Sequence, residues 1–268
     1  MTATFKEQEL AGWTAKAGNY DGNFGVVTAR FAPAILDAAG VRAGSRMLDI
    51  ASGPGYVAGA GAARGAQVTG IDFAAPMVAE ASRRFPQARF TRGDAEALAV
   101  GDATFDAVTC AFGIGHFAEP EKAMREACRV LGPGGRYALA WWRAQEAGFF
   151  GLFYDAVREH GNLDVALPPA PPFNRFGDPA ELKRSLGAAG FRDMRVDVHE
   201  LQHDLPSPET VLAMIQRSGI RSAMVFDLQT PEAQKRIERA LVEAAARLRR
   251  GDAVRVLFPA LIASASKP

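Results

Sequence analysis

The most informative stretch for chemistry is residues 47–56, MLDIASGPGY, in which an apolar run ends in a carboxylate and a glycine-rich turn follows. Glycine lets a backbone approach a ligand closely, and the first turn of a following helix offers free N–H groups. The spacing of Gly53, Gly55 and Ala58 also satisfies the dinucleotide fingerprint, and Asp72 lies at the position of its ribose-binding acid, about 20 residues later. Taken alone, this turn is also compatible with an NAD(P)-dependent oxidoreductase.

Asp49 helps to separate the possible ligands, because it lies four positions before Gly53 at the end of the apolar run. A carboxylate at that place repels a pyrophosphate, whereas it attracts a ligand that carries an ammonium group. The charge therefore favours a ligand with an amino-acid portion over a dinucleotide.

The elements that position these residues follow from the apolar periodicity, which makes strand and helix patterns alternate along the chain. After a leading helix over 28–38, the strands are predicted at 46–50, 66–71, 89–91, 106–112 and 135–142, and the helices between them at 56–64, 76–85 and 120–131. Helices of about ten residues between strands predict parallel βαβ units. The predicted fold class is therefore α/β, with a doubly wound, Rossmann-like and mostly parallel sheet of seven strands.

The C-terminal third departs from this alternation. A capped helix is predicted from Asp178 to about residue 189, strands at 191–201 and 254–263, and two helices at 207–218 and 230–250 between those strands. We predict three parts: an N-terminal helical leader or lid over 1–40, a Rossmann-like core over 41–205 with 252–268, and a helical cap over the substrate pocket at 206–251.

Five segments in order and spacing carry a resemblance to a known family. Residues 48–55, 70–77, 93–96, 106–112 and 121–135 resemble the motifs of the class I S-adenosylmethionine-dependent methyltransferases, and are most similar to the small-molecule branch that includes the ubiquinone and menaquinone biosynthesis C-methyltransferases. The resemblance extends from about Trp13 to Phe191. Ala51 stands where many members have glycine, so this position asks for a backbone conformation that alanine can adopt.

The resemblance implies S-adenosylmethionine as the cofactor and S-adenosylhomocysteine as its product. It implies that Asp72 takes both ribose hydroxyls, that Phe73 and Met77 flank the adenine, and that Asp94 accepts from the adenine amino group. Simpler roles stay open: Asp72 as a helix cap, Asp94 as a turn residue, and Phe73 and Met77 as core. The complete predicted cofactor set is Tyr20, Asp49, Ala51, Ser52, Gly53, Asp72, Phe73, Met77, Gly93, Asp94, Ala95, Ala111, Phe112 and Phe117.

Methyl transfer from a sulfonium is an in-line displacement, which chiefly needs alignment in a dry site. His116 is the candidate general base for a phenol or an acidic carbon, Tyr20 is a second pocket candidate, and His203 is a third that would reach the acceptor from beside the cap. A loop role for His116 and helix packing for Tyr20 stay open. His199 and His203 would lie about 13 Å apart on one strand, too far to share a metal, so no metal site is predicted.

Composition limits the partners. With 31 basic and 30 acidic residues the net charge is +1, which gives no field for nucleic acid or anionic lipid. No apolar run approaches the roughly 20 residues of a membrane span, and Cys110 and Cys128 fit a reducing compartment. We therefore expect a cytoplasmic monomer or homodimer that methylates a carbon, oxygen or nitrogen of a small, partly apolar or aromatic metabolite. A non-catalytic cofactor-binding protein is the remaining alternative.

Overall fold

The computed structural model describes residues 4–143 and 148–268. The chain begins with helix α1 (Phe5–Tyr20), and Thr4 and Glu7 form a reciprocal capping box at its first turn. Short helical turns follow at Asp21–Gly25, α2 (Val26–Thr28) and Ala29–Phe31, and they lead into α3 (Ala32–Ala38). The N-terminal segment is therefore almost continuously helical before the sheet begins.

The sheet contains five parallel strands and an antiparallel extension. The strands are β1 (Arg46–Ile50), β2 (Gln67–Asp72), β3 (Arg89–Arg92), β4 (Phe105–Ala111), β5 (Leu131–Trp142), β6 (Arg192–Leu205), β7 (Arg249–Arg250) and β8 (Ala253–Ser266). Their order in the sheet is β3-β2-β1-β4-β5-β8-β6, and the two-residue strand β7 pairs with β8. Strand β8 is antiparallel to both β5 and β6. The structure confirms the predicted α/β fold with a mostly parallel sheet.

The remaining helices connect or cover these strands. The helix expected to run to Arg250 ends at Ala246, because Arg249 and Arg250 pair with the first residues of β8. The helices are α4 (Tyr56–Ala63), α5 (Ala75–Arg84), α6 (Pro120–Val130), α7 (Gly148–His160), α8 (Pro179–Ala188), α9 (Thr210–Ser218), α10 (Arg221–Asp227) and α11 (Pro231–Ala246). Two of them, α7 and α10, lie in segments where the sequence predicts no helix.

The strand order places a ligand crevice at β1. Strand β1 pairs with β2 on one side and with β4 on the other, so the chain reverses its direction of growth across the sheet at this point. Met47, Leu48 and Ile50 are almost completely buried, as expected of a central parallel strand covered on both faces. In doubly wound sheets, ligands bind beyond the carboxyl ends of the strands at such a reversal.

In the described part of the chain, no helix is both long and apolar enough to cross a bilayer.

Candidate active site

A cavity of about 950 Å³, measured to its open mouth, lies beyond the carboxyl ends of β1, β2 and β4 and against α1. All the residues of the predicted cofactor set line it: Tyr20, Asp49, Ala51, Ser52, Gly53, Asp72, Phe73, Met77, Gly93, Asp94, Ala95, Ala111, Phe112 and Phe117.

Asp49, near the end of β1, is the most enclosed acid of the cavity and is only 1% exposed. Its Oδ1 accepts a hydrogen bond of 2.7 Å from the Thr109 hydroxyl on β4, and its Oδ2 accepts one of 3.2 Å from the Ala58 backbone N–H on α4. Burial raises the pKa of Asp49 to about 7, although these two hydrogen bonds oppose the shift. The carboxyl group is thus fixed in place and would gain from a cationic ligand group nearby.

Asp72, the last residue of β2, connects the turn after β1 with the turn after β2 in the cavity wall. Its Oδ2 accepts from the Gly53 N–H and its Oδ1 from the Ala74 N–H, both at 2.9 Å. Ala74, and not Asp72, is the N-cap of α5, so the simple capping role does not apply. Burial raises the pKa of Asp72 to about 6. Each oxygen retains acceptor capacity, because a carboxylate oxygen has two lone pairs.

Two non-glycine residues at the strand tips have left-handed backbones: Ala51 with φ of 53° and Phe112 with φ of 56°. Alanine does adopt the conformation that this position requires, but a side chain in that region costs about 1–2 kcal/mol relative to glycine. The Phe112 ring stacks on Trp142 with ring centres 4.1 Å apart. Strained residues that the surroundings hold in place are typical of ligand-binding turns.

The two carboxylate oxygens of Asp94 contact two different parts of the chain. Its Oδ1 accepts a 2.9 Å bond from the Glu96 N–H, so it does have the predicted turn role. Its Oδ2 contacts the Lys6 ammonium of α1, which also donates to Glu96 Oε2 at 2.8 Å. The turn after β3 is thereby tied to the first turn of α1 at the rim of the cavity.

His116 lines the cavity on the short helical turn after β4. Its Nδ1 lies 2.8 Å from Oε2 of Glu9, a buried acid on α1. Its ring makes edge contacts with Trp13 and Trp141, with ring centres 5.0 and 5.6 Å away. A histidine held in this way in a cavity wall can act as an acid or a base.

Tyr20 lines the same cavity from the end of α1. Its hydroxyl lies 3.1 Å from the Thr28 hydroxyl, and burial raises its pKa to about 12. The phenol is therefore neutral at ordinary pH and cannot serve as a base there, although it can still contact a ligand.

His203 does not line this cavity. It lies on β6, at the outer edge of the sheet, with its ring 6.2 Å from that of Phe258 on β8. The expectation that it reaches the acceptor assumed that β6 lies beside the ligand, whereas β5 and β8 lie between β4 and β6 in the sheet. We therefore remove His203 from the catalytic candidates.

Three aromatic residues of α7 pack into the core and lie outside the cavity wall. Phe149 and Phe153 are fully buried and Tyr154 nearly so, and none of them lines the cavity. Phe149 instead packs against Phe24 and Phe258. These rings therefore contribute to the core and not to the lining of the cavity.

Several lining residues were not predicted from the sequence. The most informative is Lys6, which shares one face of α1 with Trp13 and Tyr20 at near-helical spacing. That periodicity was the available signal, but a lone Lys or Glu on a helix resembles ordinary surface charge. The unpredicted lining residues are Lys6, Trp13, Thr28, Pro54, Tyr56, Val57, Ile71, Glu96 and Gly113.

The hydroxyl of Ser52 is informative about whether the cavity suits an adenosyl amino acid. Its Oγ is buried and has no hydrogen-bond partner among the described residues, yet Ser52 lines the cavity. A buried hydroxyl without a partner costs about 1–3 kcal/mol, so this position favours a polar ligand group. Together with acids on three strand ends and apolar walls from Phe73 and Met77, the cavity fits a ligand with an ammonium group, a ribose and an adenine.

The comparisons with known proteins agree with this chemistry. The sequence model of the family described as "Methyltransferase domain" matches residues 48–139. A demethylmenaquinone methyltransferase from Thermus thermophilus is 38% identical over 172 residues, which cover 58% of this chain and 78% of that protein. One from Renibacterium salmoninarum is 39% identical over 177 residues, covering 62% and 75%.

The comparison with solved structures agrees with the fold. The crystal structure of a putative methyltransferase from Bacillus halodurans superposes with a TM-score of 0.56 at 20% identity, covering 88% of this chain and 98% of that one. The NAD(P)-dependent oxidoreductase alternative finds no support in these relatives. This chain belongs to the class I S-adenosylmethionine-dependent methyltransferases, and it is an enzyme that uses S-adenosylmethionine as its cofactor.

Proposed function

We propose that the enzyme methylates a ring carbon of a hydroxylated aromatic acceptor, of the reduced-quinone type suggested by the names of its relatives. The observation that carries this proposal is the position of His116, an imidazole in the wall of the cavity that also contains Asp49, Asp72 and Asp94. A base next to a bound phenol can remove its proton, and the resulting phenolate makes the adjacent ring carbon nucleophilic.

The chain's own residues then have distinct tasks. The bound cofactor supplies a methyl group on a positively charged sulfur. Asp49 offers its carboxylate to the cationic amino-acid portion, Asp72 offers two acceptor oxygens to the ribose diol, and Asp94 offers one to the adenine amino group. Trp13 and Tyr20 on α1 cover the cavity and exclude water, while His116 holds the acceptor proton.

The charges of the cavity support a neutral acceptor over an anionic one. Among the described residues, Lys6 is the only lysine or arginine that lines the cavity, and its ammonium already pairs with Asp94 and Glu96. A phosphorylated acceptor would bring its charge beside acids and find no free cation. An uncharged ring suits these walls better.

We also propose that residues 1–40 act as the lid and 206–251 as a cap that acts through it. No described residue of 206–251 lines the cavity; Ile220, Ala223 and Met224 instead border a groove along the outer side of α1. The cap would therefore influence the acceptor by supporting α1 and would not contact the substrate directly, contrary to the expectation that it lies over the substrate pocket.

The test is a methylation assay with a reduced, short-chain 2-prenyl-1,4-naphthoquinol, in which product is identified by mass spectrometry. Methylated quinol is expected, with no product from the oxidised quinone, which lacks the acidic hydroxyl. The His116→Gln variant should lose about 10²–10⁴-fold in kcat. Turnover of an amine but not of the quinol, or cofactor binding without any methylated product, would contradict the proposal.

A further inference from the structure

The proton chemistry of methyl transfer needs a base in one defined protonation form. When the S–CH3 bond breaks, its electron pair stays on sulfur. In the same step the ring carbon beside the phenolate oxygen forms its bond to the methyl group, and the hydrogen on that carbon is then lost as a proton while the ring regains its aromatic form. If His116 takes the phenol proton before this step, which rests on the proposed function, it must present a nitrogen lone pair to the phenol hydroxyl. Neutral imidazole has one such nitrogen, and its other nitrogen carries the hydrogen.

Glu9 determines which nitrogen that is. Its side chain is only 2% exposed and its Oε2 lies 2.8 Å from His116 Nδ1. When the Glu9 carboxylate is ionised it can only accept a hydrogen bond, and in that arrangement Nδ1 carries the hydrogen and Nε2 retains the lone pair. No hydrogen bond joins Nε2 to any residue of the described ranges. The Phe173 ring, 5.7 Å from the imidazole, and the rings of Trp13 and Trp141 limit its rotation.

Glu9 comes from a different part of the chain than His116 does. It lies on α1, where Lys6 one turn earlier binds Asp94 and Glu96, and Trp13 one turn later lines the cavity. The same helix therefore covers the cavity and supplies the partner of the base. When α1 is docked, both conditions are met together.

We propose that Glu9 is a positioning residue for methyl transfer, which orients His116 with its Nε2 lone pair toward the acceptor and stabilises the imidazolium formed when the proton is taken. The base becomes competent only when α1 lies over the cavity. Proton removal is thereby coupled to closure, and the cofactor's methyl group meets an activated acceptor only in a site from which water is excluded.

The first test is kinetic and uses Glu9→Gln, which keeps the length of the side chain and removes its charge. We expect kcat to fall at least about 10-fold, while the Kd of S-adenosylhomocysteine stays within about twofold. Glu7→Gln is the matched control, because it makes the same change on the same helix at an exposed capping-box acid, where Gln also serves. It should leave kcat unchanged.

The second test asks whether Glu9 acts through His116. If it does, Glu9→Gln should add nothing to the loss caused by His116→Gln, so the double variant should match the His116 single variant. Nitrogen-15 NMR of the imidazole, which needs no acceptor, should show the hydrogen on Nδ1 in the wild type and a mixture or the other tautomer in Glu9→Gln.

The outcomes separate this inference from the proposed function. If His116→Gln retains wild-type turnover, the base assignment fails and the role of Glu9 fails with it. If His116→Gln is inactive but Glu9→Gln keeps wild-type kcat and tautomer, only the role of Glu9 is refuted. A Glu9→Gln variant that loses thermal stability and cofactor affinity but not kcat at saturation would show a merely structural contact, and would also overturn the inference.

Discussion

The buried carboxyl group of Asp49 should make both cofactor binding and stability depend on pH near neutrality. Its folded-state pKa of about 7 lies above the ordinary value of 3.8 because burial disfavours the charged form. Asp49→Asn removes this titration while keeping both hydrogen bonds possible. The amide oxygen can accept from the Ala58 N–H, and the amide nitrogen can donate to the Thr109 hydroxyl, which then reverses its role.

The direction of the pH dependence of stability follows from the protons that the folded and unfolded chains bind at Asp49. Between pH 4 and 7 the unfolded chain has lost the proton of Asp49 and the folded chain keeps it, so stability increases as pH falls through this window. From pH 8 to pH 6 the gain in unfolding free energy from this group is about 1.4 kcal/mol, or roughly 2–3 °C in Tm for a domain of this size. Ligand binding has the opposite sign. An ammonium group needs the ionised form, so the affinity for S-adenosylhomocysteine should weaken about tenfold over the same interval.

Calorimetric titration of S-adenosylhomocysteine and thermal denaturation at pH 6 and pH 8 measure both effects. Asp49→Asn should bind more weakly at pH 8, lose the tenfold pH dependence of binding, and show a Tm change between the two pH values that is smaller by the stated amount. Asp37→Asn, at an exposed acid paired with Arg64, is the control and should keep the wild-type dependence. Equal pH dependence in Asp49→Asn and the wild type would refute the assignment of this titration to Asp49.

Three further predictions concern strain, closure and packing. Ala51→Gly should raise the free energy of unfolding, measured by urea denaturation, by up to about 1 kcal/mol. The reason is that removing the strain of the left-handed alanine backbone outweighs the extra conformational entropy that glycine has in the unfolded chain. A less stable variant would contradict the presence of strain at Ala51. Lys6→Met removes the tie between α1 and Asp94, so stopped-flow release of S-adenosylhomocysteine should be about 2–5-fold faster; an unchanged rate would argue against α1 as a lid. Gly115→Ala would place a Cβ 2.1 Å from the Trp141 ring, so it should cost about 1–3 kcal/mol in thermal denaturation and reduce kcat; a variant with wild-type stability would contradict this close packing.

The core of the fold could be predicted from the sequence because its signals are local. The β1 strand, the turn at Gly53 and the helix that follows each have their own periodicity, and the five parallel strands fall where the alternation of strands and helices places them. The sequence analysis predicts no helix at α7, where aromatic residues are clustered. Helix α10 has only seven residues and no strong start signal.

The site residues could be predicted only where a local sequence signal, such as the end of a parallel strand, places them at the cavity. Asp49, Asp72 and Asp94 each lie at or just after the end of a parallel strand, so the topology alone brings them to one edge. Glu9 and His203 show the limit of this reasoning. The partner of His116 comes from more than 100 residues earlier in the chain, and the place of His203 depends on the sheet order, which puts β6 outside β8.

The central claim is that the carboxyl groups of Asp49, Asp72 and Asp94 hold one adenosyl amino acid at the tips of the parallel strands. A crystal structure of the complex with S-adenosylhomocysteine tests it most directly. We predict that the adenosyl group lies in the cavity with its ribose hydroxyls on Asp72, its adenine beside Asp94 and its amino group on the Asp49 side. Density for the ligand elsewhere, or a ligand in the cavity that contacts none of these three acids, would contradict the account.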